Sequence, residues 1–152
     1  MRGPSVAYSS TAADDVKLAP SPINEDWIVE GAPAARSAIL SRSRDETACT
    51  IMWDCTAGKF RWFYDFDETI HILEGSVWID DGHGPRRVGP GDVVFFPVGS
   101  SALWEVETYV RKLAFCRKTL PAPIGAAVKM LRSLRAAMRG AQPAGASLMK
   151  SA

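Results

Sequence analysis

The chain has 152 residues, 47% of them apolar, and its 18 Lys and Arg residues nearly balance 17 Asp and Glu residues. This size and composition fit one domain with a buried core and leave little room for two. No run approaches the roughly 18 consecutive apolar residues of a membrane-spanning helix. No apolar stretch follows Arg2 as it would in a secretory signal peptide, so we expect a soluble, cytoplasmic protein.

Residues 1–22 are small, polar and proline-bearing, which is typical of a disordered or loosely packed segment. We therefore predict a flexible N-terminal arm over this range. The pattern becomes more apolar from Ile23. Residues 27–31 form a short strand or a packed segment, and residues 37–43 another, while 49–53 predict a clearer strand that leads to a turn at Gly58.

Turn-forming residues then divide the sequence between Gly58 and Gly99 into short segments. They stand at positions 56–58, 74–75, 80–85, 89–92 and 97–99. The segments between them are rich in β-branched and aromatic residues and predict strands over 60–64, 69–73, 77–79, 93–96 and 103–106. Short strands with frequent turns indicate a closed or double-sheet β fold.

The C-terminal part changes to a helical period. On a helix over 124–139, one face carries apolar residues and basic residues lie beside it. The prolines at 121 and 123 are placed for a helix start, and Gly140 and Pro143 for its end. We expect this helix to pack on the β domain or against a second subunit. Its basic side leaves contact with an anionic surface open, but without interleaved aromatic residues we expect neither nucleic acid nor a membrane as partner.

The three cysteines, Cys49, Cys55 and Cys116, form neither a C-x-x-C pair nor an even set. Their number argues against a secreted disulfide scaffold and against a zinc ribbon. We expect buried, small hydrophobic side chains at these positions. A reactive thiol at Cys55 stays open, although the neighbouring carboxylate of Asp54 would raise the pKa of that thiol and disfavour the thiolate.

The segment between Gly58 and Gly99, with its short strands and frequent turns, resembles the cupin superfamily. Cupins carry two sequence blocks, G-x5-H-x-H-x3,4-E-x6-G and G-x5-P-x-G-x2-H-x3-N. Residues 91–99 fit the start of the second block without a gap, and Glu68 and Gly75 fit the end of the first, which Gly58 opens loosely. The resemblance implies an all-β, single-domain cupin, a double-stranded β-helix or jelly-roll barrel, over 23–119. Residues 120–152 then form a C-terminal amphipathic helix and tail.

Carried over residue by residue, the resemblance implies that most metal ligands of the family are missing. The two histidine slots of the first block fall at Trp62 and Tyr64, and that of the second block falls at Ala102. Glu68 alone keeps its identity. We therefore expect no cofactor, and a divalent metal only through a non-standard set that includes Glu68 and His71.

A narrower resemblance extends over about residues 23–118. Residues 27–31, 59–64, 68–75, 104–106 and 110–112 are similar to small single-domain cupins of the ureidoglycine aminohydrolase-like and ethanolamine-utilisation types. This group implies a fold but hardly a substrate. Function has to be argued from the site itself.

Because side chains alternate along a strand, Trp62, Tyr64 and Glu68 should share the barrel interior, together with Trp104. They would form an aromatic pocket with one carboxyl group, suited to a small polar metabolite. The alternative is a filled core, in which Glu68 accepts a hydrogen bond from Tyr64 or pairs with Arg61 or Lys112.

The two histidines are less promising. His71 has the opposite parity to Glu68 and should face away from the lumen, where a structural or interface role is expected. His83 lies in a glycine-flanked turn, which is typical of a solvent-exposed residue.

Three functions stay open at this point. The first is a metal-independent acid/base enzyme that uses Glu68 and Tyr64, with Trp62 and Trp104 as binding walls. The second is a metal-dependent, ureidoglycine aminohydrolase-like hydrolase with Glu68, His71, Tyr64 and water as ligands. The third is a non-catalytic module for binding or assembly, a homodimer joined by sheet edges and the C-terminal helix.

Overall fold

The computed structural model describes residues 7–139, which fall into two compact units with their boundary between Thr119 and Leu120. The first unit is built from nine β-strands and two short 3-10 turns, Ala13–Asp15 and Glu25–Trp27. The strands are β1 (Ala19–Pro20), β2 (Ile28–Gly31), β3 (Ala35–Arg42), β4 (Ala48–Phe63), β5 (Asp67–Gly75), β6 (Val77–Asp80), β7 (Arg86–Val88), β8 (Val93–Phe96) and β9 (Ser101–Arg117).

All strand pairs are antiparallel, and the main path through the sheet runs β1-β3-β4-β9-β5-β8. β2 adds to β4, and the hairpin of β6 and β7 adds to β9. β4 and β9 pair along nearly their whole lengths, from Ala48 opposite Arg117 to Phe63 opposite Ser101. The structure thus confirms the predicted all-β fold, and these two long strands place the inward side chains.

The turn predicted at Gly58 is wrong, because this residue lies within the continuous strand β4. The pairing of β4 with β9 is irregular between Thr56 and Gly58, so the chain kinks there without reversing. A Cβ atom at position 58 would lie 2.6 Å from Cδ of Pro33. Glycine is needed at this point for a close approach of two segments rather than for a turn.

The turn at Gly75 is confirmed, since β5 ends there and β6 begins two residues later. Gly75 has φ of 71°, in the left-handed region that glycine adopts without steric cost. A Cβ atom there would lie 2.0 Å from the carbonyl oxygen of Tyr109 in β9. The tight turn between β5 and β6 therefore depends on glycine for both its conformation and its packing.

Part of the segment 1–22, predicted to be a flexible arm, pairs with the sheet as strand β1. Ala19 and Pro20 lie opposite Ser37 and Arg36 of β3. The core lies inside the sheet and is formed by apolar and aromatic side chains. Its members with the lowest exposure include Cys55, Phe60, Ile70, Ile72, Val77, Ala102, Trp104 and Val110. Burial of such side chains is the main favourable contribution to folding.

The described part of the second unit, residues 120–139, contains one helix, α1 (Ala122–Arg139), which begins two residues earlier than predicted. Pro123 lies in its first turn, where the missing N–H costs nothing. Gly140 and Pro143, the predicted stop signals, lie outside the described residues. Within residues 7–139 no helix combines the length and apolarity needed to cross a membrane. Whether α1 packs on the β unit or on a second subunit stays a prediction.

Candidate functional site

The structure brings together three of the four residues predicted to line the barrel interior, and the fourth, Trp62, contacts their cluster through neighbouring aromatic rings. Tyr64, Glu68 and Trp104 are buried, and Trp62 is half-buried. Trp62 lies opposite Ala102 in the pairing of β4 and β9. Strand alternation produces this convergence, since the inward residues of β5 and β9 are every second residue.

The carboxylate of Glu68 is engaged by Lys112 from β9. Lys112 Nζ donates a hydrogen bond to Glu68 Oε1 at 2.5 Å. The two side chains are only 4% and 7% exposed. Of the partners considered from the sequence, Lys112 is thus the observed one, while Arg61 is exposed on the other side of its strand.

Two indole rings flank the ammonium group of Lys112. Nζ lies 5.0 Å from the ring centroid of Trp53 and 4.9 Å from that of Trp104. The electron-rich faces of indole attract a cation, most strongly where water is excluded. The ammonium is therefore held by one carboxylate and two ring faces.

Sequence reasoning missed Trp53. Counting alternate residues back from Trp62 places Trp53 on the outer face of β4. The irregularity between Thr56 and Gly58 reverses the alternation, so Trp53 and Cys55 face inward together with Phe60. A bulge of this kind re-aims the side chains that follow it.

Tyr64 contacts this cluster from the other side. Its hydroxyl oxygen accepts a hydrogen bond from Trp104 Nε1 at 3.1 Å. Its ring stacks on Phe96 with centroids 4.3 Å apart. Burial and the nearby charge of Glu68 raise the pKa of Tyr64 above its ordinary value, so the phenol stays neutral. Among the contacts of residues 7–139, the expected hydrogen bond between Tyr64 and Glu68 does not occur.

The two histidines lie away from this cluster. His71 stands between Leu113 and Val93 in the sheet register, on the opposite face of β5 from Glu68. The prediction that His71 faces away from the lumen is thus confirmed. His83 is 87% exposed beside Asp81 in the turn between β6 and β7, also as predicted.

The described residues do not fit the metal site that the fold family implies. Within residues 7–139 no group of three or more His, Cys, Asp or Glu side chains is arranged to hold a metal ion. Trp62 and Ala102, which occupy two of the ligand positions, carry no group that binds a divalent metal. Glu68 already has a cationic partner in Lys112.

A cavity of about 790 Å³ opens between β8 and the hairpin of β6 and β7. Ile79, Val88 and Phe96 contribute inward apolar side chains to its wall, and Arg86 and Asp81 lie at its polar side. Phe96 is also the ring that stacks on Tyr64. Phe96 therefore contacts both this cavity and the buried cluster.

A second buried carboxylate, not foreseen from the sequence, lies on the outer face of β4. Asp54 accepts hydrogen bonds from Nε and Nη2 of Arg36 in β3 and, at 2.9 Å, from the hydroxyl of Tyr109 in β9. Arg36 and Asp54 lie directly opposite each other in the sheet. This cluster ties three neighbouring strands together, and the arginine in register with Asp54 is the signal that could have revealed it.

Comparison with known proteins finds that residues 42–114 match the EutQ-like cupin domain family. No curated protein matches the chain. Three similar solved structures are a EutQ protein from Salmonella typhimurium, the EutQ protein of Clostridium difficile and a protein of unknown function from Pseudomonas syringae pv. tomato.

The S. typhimurium protein is 24% identical with a TM-score of 0.51, and the match covers 57% of this chain and 72% of that one. The C. difficile protein is 18% identical with a TM-score of 0.57, over 72% and 86%. The P. syringae protein is 27% identical with a TM-score of 0.61, over 67% and 45%. Identities this low carry the fold and not a shared activity.

Proposed function

Since this chain belongs to the cupin superfamily and has an EutQ-like cupin domain, we propose that it binds a small polar metabolite in its barrel beside the Glu68–Lys112 pair. The observation that carries this proposal is the ion pair itself, with both side chains almost fully buried and 2.5 Å between Nζ and Oε1. Charged groups that are removed from water in an aromatic interior are candidates for a functional site.

Stability alone is a poor explanation for such a pair. Removing two charges from water costs several kcal/mol for each ion, and well-packed apolar residues of similar volume often stabilise a protein as well or better. A core built only to be stable would therefore carry apolar side chains at positions 68 and 112. The pair instead supplies a hydrogen-bond acceptor and a donor within one small space.

The ammonium of Lys112 also supplies the positive charge that a divalent ion supplies in metal-binding cupins. It can donate hydrogen bonds to a carbonyl or carboxylate oxygen of a ligand, while the carboxylate of Glu68 accepts from an N–H or O–H group. Because Lys112 donates and Glu68 accepts hydrogen bonds at the same ligand, the pair is equipped for general acid/base catalysis. Glu68 would accept the proton, and Lys112 would stabilise the developing negative charge.

Access to the pair would come from the cavity between β8 and the hairpin of β6 and β7. Its volume of about 790 Å³ is in the range of ligand pockets, roughly 300–1,000 Å³. Rotation of Phe96 away from Tyr64 would join this cavity to the cluster, since Phe96 belongs to both. The polar side of the cavity carries two arginines and two aspartates, which suits a metabolite with both hydrogen-bond donors and acceptors.

The experiment is a thermal-shift screen of small polar metabolites, including carboxylates, followed by proton NMR in D₂O with any ligand found. We expect at least one compound to raise the melting temperature of the wild-type protein. A Glu68→Leu/Lys112→Met variant should fold and show no such rise, whereas His71→Ala, on the opposite face of β5, should respond as the wild type does.

The results separate binding from catalysis. Exchange of a ligand hydrogen for deuterium that disappears in Glu68→Gln supports acid/base chemistry. Binding without exchange supports a non-catalytic module. The proposal fails if the wild type responds to no compound in the panel, or if the Glu68→Leu/Lys112→Met variant responds equally. Metal-dependent hydrolysis of the ureidoglycine aminohydrolase-like kind stays a prediction, and its test is the metal content of the protein purified without chelator.

A second candidate, a homodimeric module, is favoured by strand β8. This strand ends the main path of the sheet, and its outward side chains Val93 and Phe95 are 65% and 58% exposed. An edge strand with exposed apolar side chains is a ready site for pairing with another chain. We propose that a second copy of this protein covers it by two-fold symmetric contact, in which the same patch serves both subunits.

A further inference from the structure

Two of the three cysteines face each other across the central strand pair. Cys49 of β4 and Cys116 of β9 are direct partners in the sheet register, and both point to the inner side. We infer that Cys49 and Cys116 form a dithiol that hydrogen peroxide or an organic hydroperoxide converts to an intramolecular disulfide. This inference concerns a modification site at one end of the barrel and does not depend on the proposed ligand.

The backbone geometry suits such a bond. Lys118 N donates to the carbonyl oxygen of Thr47 at 2.7 Å, so these residues form a hydrogen-bonded pair. Pairs of this type recur every second residue, which makes Cys49 and Cys116 the next one along. Hydrogen-bonded partners have Cα atoms about 5.5 Å apart, close to the most common separation in disulfides.

The two side chains also lie close together, since the thiol of Cys49 contributes to the raised pKa of Cys116. Both cysteines line a cavity of about 580 Å³. Cys49 is half-buried, whereas Cys116 is buried. Cys49 is therefore the thiol that a small peroxide reaches more easily.

Burial, with smaller contributions from Glu68 and Cys49, raises the pKa of Cys116 to about 12. Cys116 is thus a poor first nucleophile, since the thiolate is the reactive form. Cys49, the less buried partner, reacts first in our scheme. Cys116 then acts as the resolving thiol, where its position next to the Cys49 sulfur offsets its low ionisation.

The oxidation proceeds in two steps. The sulfur of Cys49 attacks one peroxide oxygen, the O–O bond breaks, and the products are a sulfenic acid and one water or alcohol molecule. The sulfur of Cys116 then attacks the Cys49 sulfur, and the sulfenic hydroxyl leaves with the Cys116 proton as water. Two thiols lose two electrons in total, and one peroxide gains them.

Cys55 provides an internal control. It is fully buried, its Sγ donates to the carbonyl oxygen of Thr56 at 3.3 Å, and burial raises its pKa to about 12. It lies six residues from Cys49 along β4, or about 20 Å at the rise of a strand. Cys55 can therefore pair with neither of the other two cysteines in the folded protein.

The experiment treats the full chain with hydrogen peroxide, alkylates remaining thiols after unfolding, and maps the peptides by mass spectrometry. We expect two of the three thiols to be lost, a mass decrease of about 2 Da from the two hydrogens removed, a Cys49–Cys116 cross-linked peptide, and full reversal by dithiothreitol. Cys55→Ser should behave as the wild type, and Cys49→Ser should form no intramolecular disulfide.

The peptide map of the wild-type protein tests for the Cys49–Cys116 disulfide even if a variant folds poorly. Retention of all three thiols, a disulfide that includes Cys55, a disulfide between two chains, or a gain of oxygen at Cys49 without a cross-link would each overturn the inference.

Discussion

The Glu68–Lys112 pair allows a quantitative test of how the barrel interior is built. Replacing Glu68 by Leu leaves the Lys112 ammonium buried with two indole faces as its remaining partners. Breaking a buried pair in this way costs about 3–5 kcal/mol in the free energy of unfolding. The two cation–π contacts persist, each worth about 2 kcal/mol when desolvated, so we expect a loss near the lower end of that range.

The double variant Glu68→Leu/Lys112→Met should recover that loss. Apolar replacement of both partners is neutral or stabilising by about 1–4 kcal/mol, so the coupling between the two positions should exceed about 3 kcal/mol. Urea unfolding followed by circular dichroism measures the four free energies of this double-mutant cycle.

The pair Lys59–Glu105 is a matched control, since it also joins β4 and β9, at 3.0 Å, but its side chains are 28% and 50% exposed. The same substitutions there should give a coupling below about 1 kcal/mol. Equal couplings at the two sites would refute the argument that burial makes the Glu68–Lys112 pair costly to break.

Two further predictions concern the frame of the barrel. Gly75→Ala should destabilise the protein by more than about 2 kcal/mol, because its Cβ atom would lie 2.0 Å from the carbonyl oxygen of Tyr109. Gly82→Ala, with open space around the added atom, should cost less. Equal losses of unfolding free energy in urea would contradict this. Phe95→Glu on edge strand β8 should convert the proposed dimer to a monomer, as measured by light scattering. Val29→Glu, at another exposed apolar position, should leave the dimer intact. A wild-type protein that is monomeric at high concentration would rule out the dimer.

Local sequence signals were sufficient for much of the fold. Glycine and proline positions marked most turns correctly, and the change of period located α1. Alternation along β5 correctly separated Glu68 from His71. These features depend on neighbouring residues within one strand or turn, which is the scale at which sequence patterns report structure.

Features that depend on pairing between distant segments were harder to predict. The inward position of Trp53 follows from an irregularity that exists only where β4 meets β9. Gly58 has the sequence signature of a turn but is required by its contact with Pro33. For Glu68, the sequence offered three partners, and the reach of Lys112 along the neighbouring strand β9 decided between them.

The long antiparallel pairing of β4 with β9 also affects how the protein is made. β4 begins at Ala48, but its partner is complete only at Arg117. Contacts between such distant segments must overcome a large loop-closure entropy, so folding dominated by them is slow. On the ribosome, β4 and β5 each keep one hydrogen-bonding edge unpaired until β9 is synthesised. A chain that stops before β9 would keep those edges open and would be prone to aggregation.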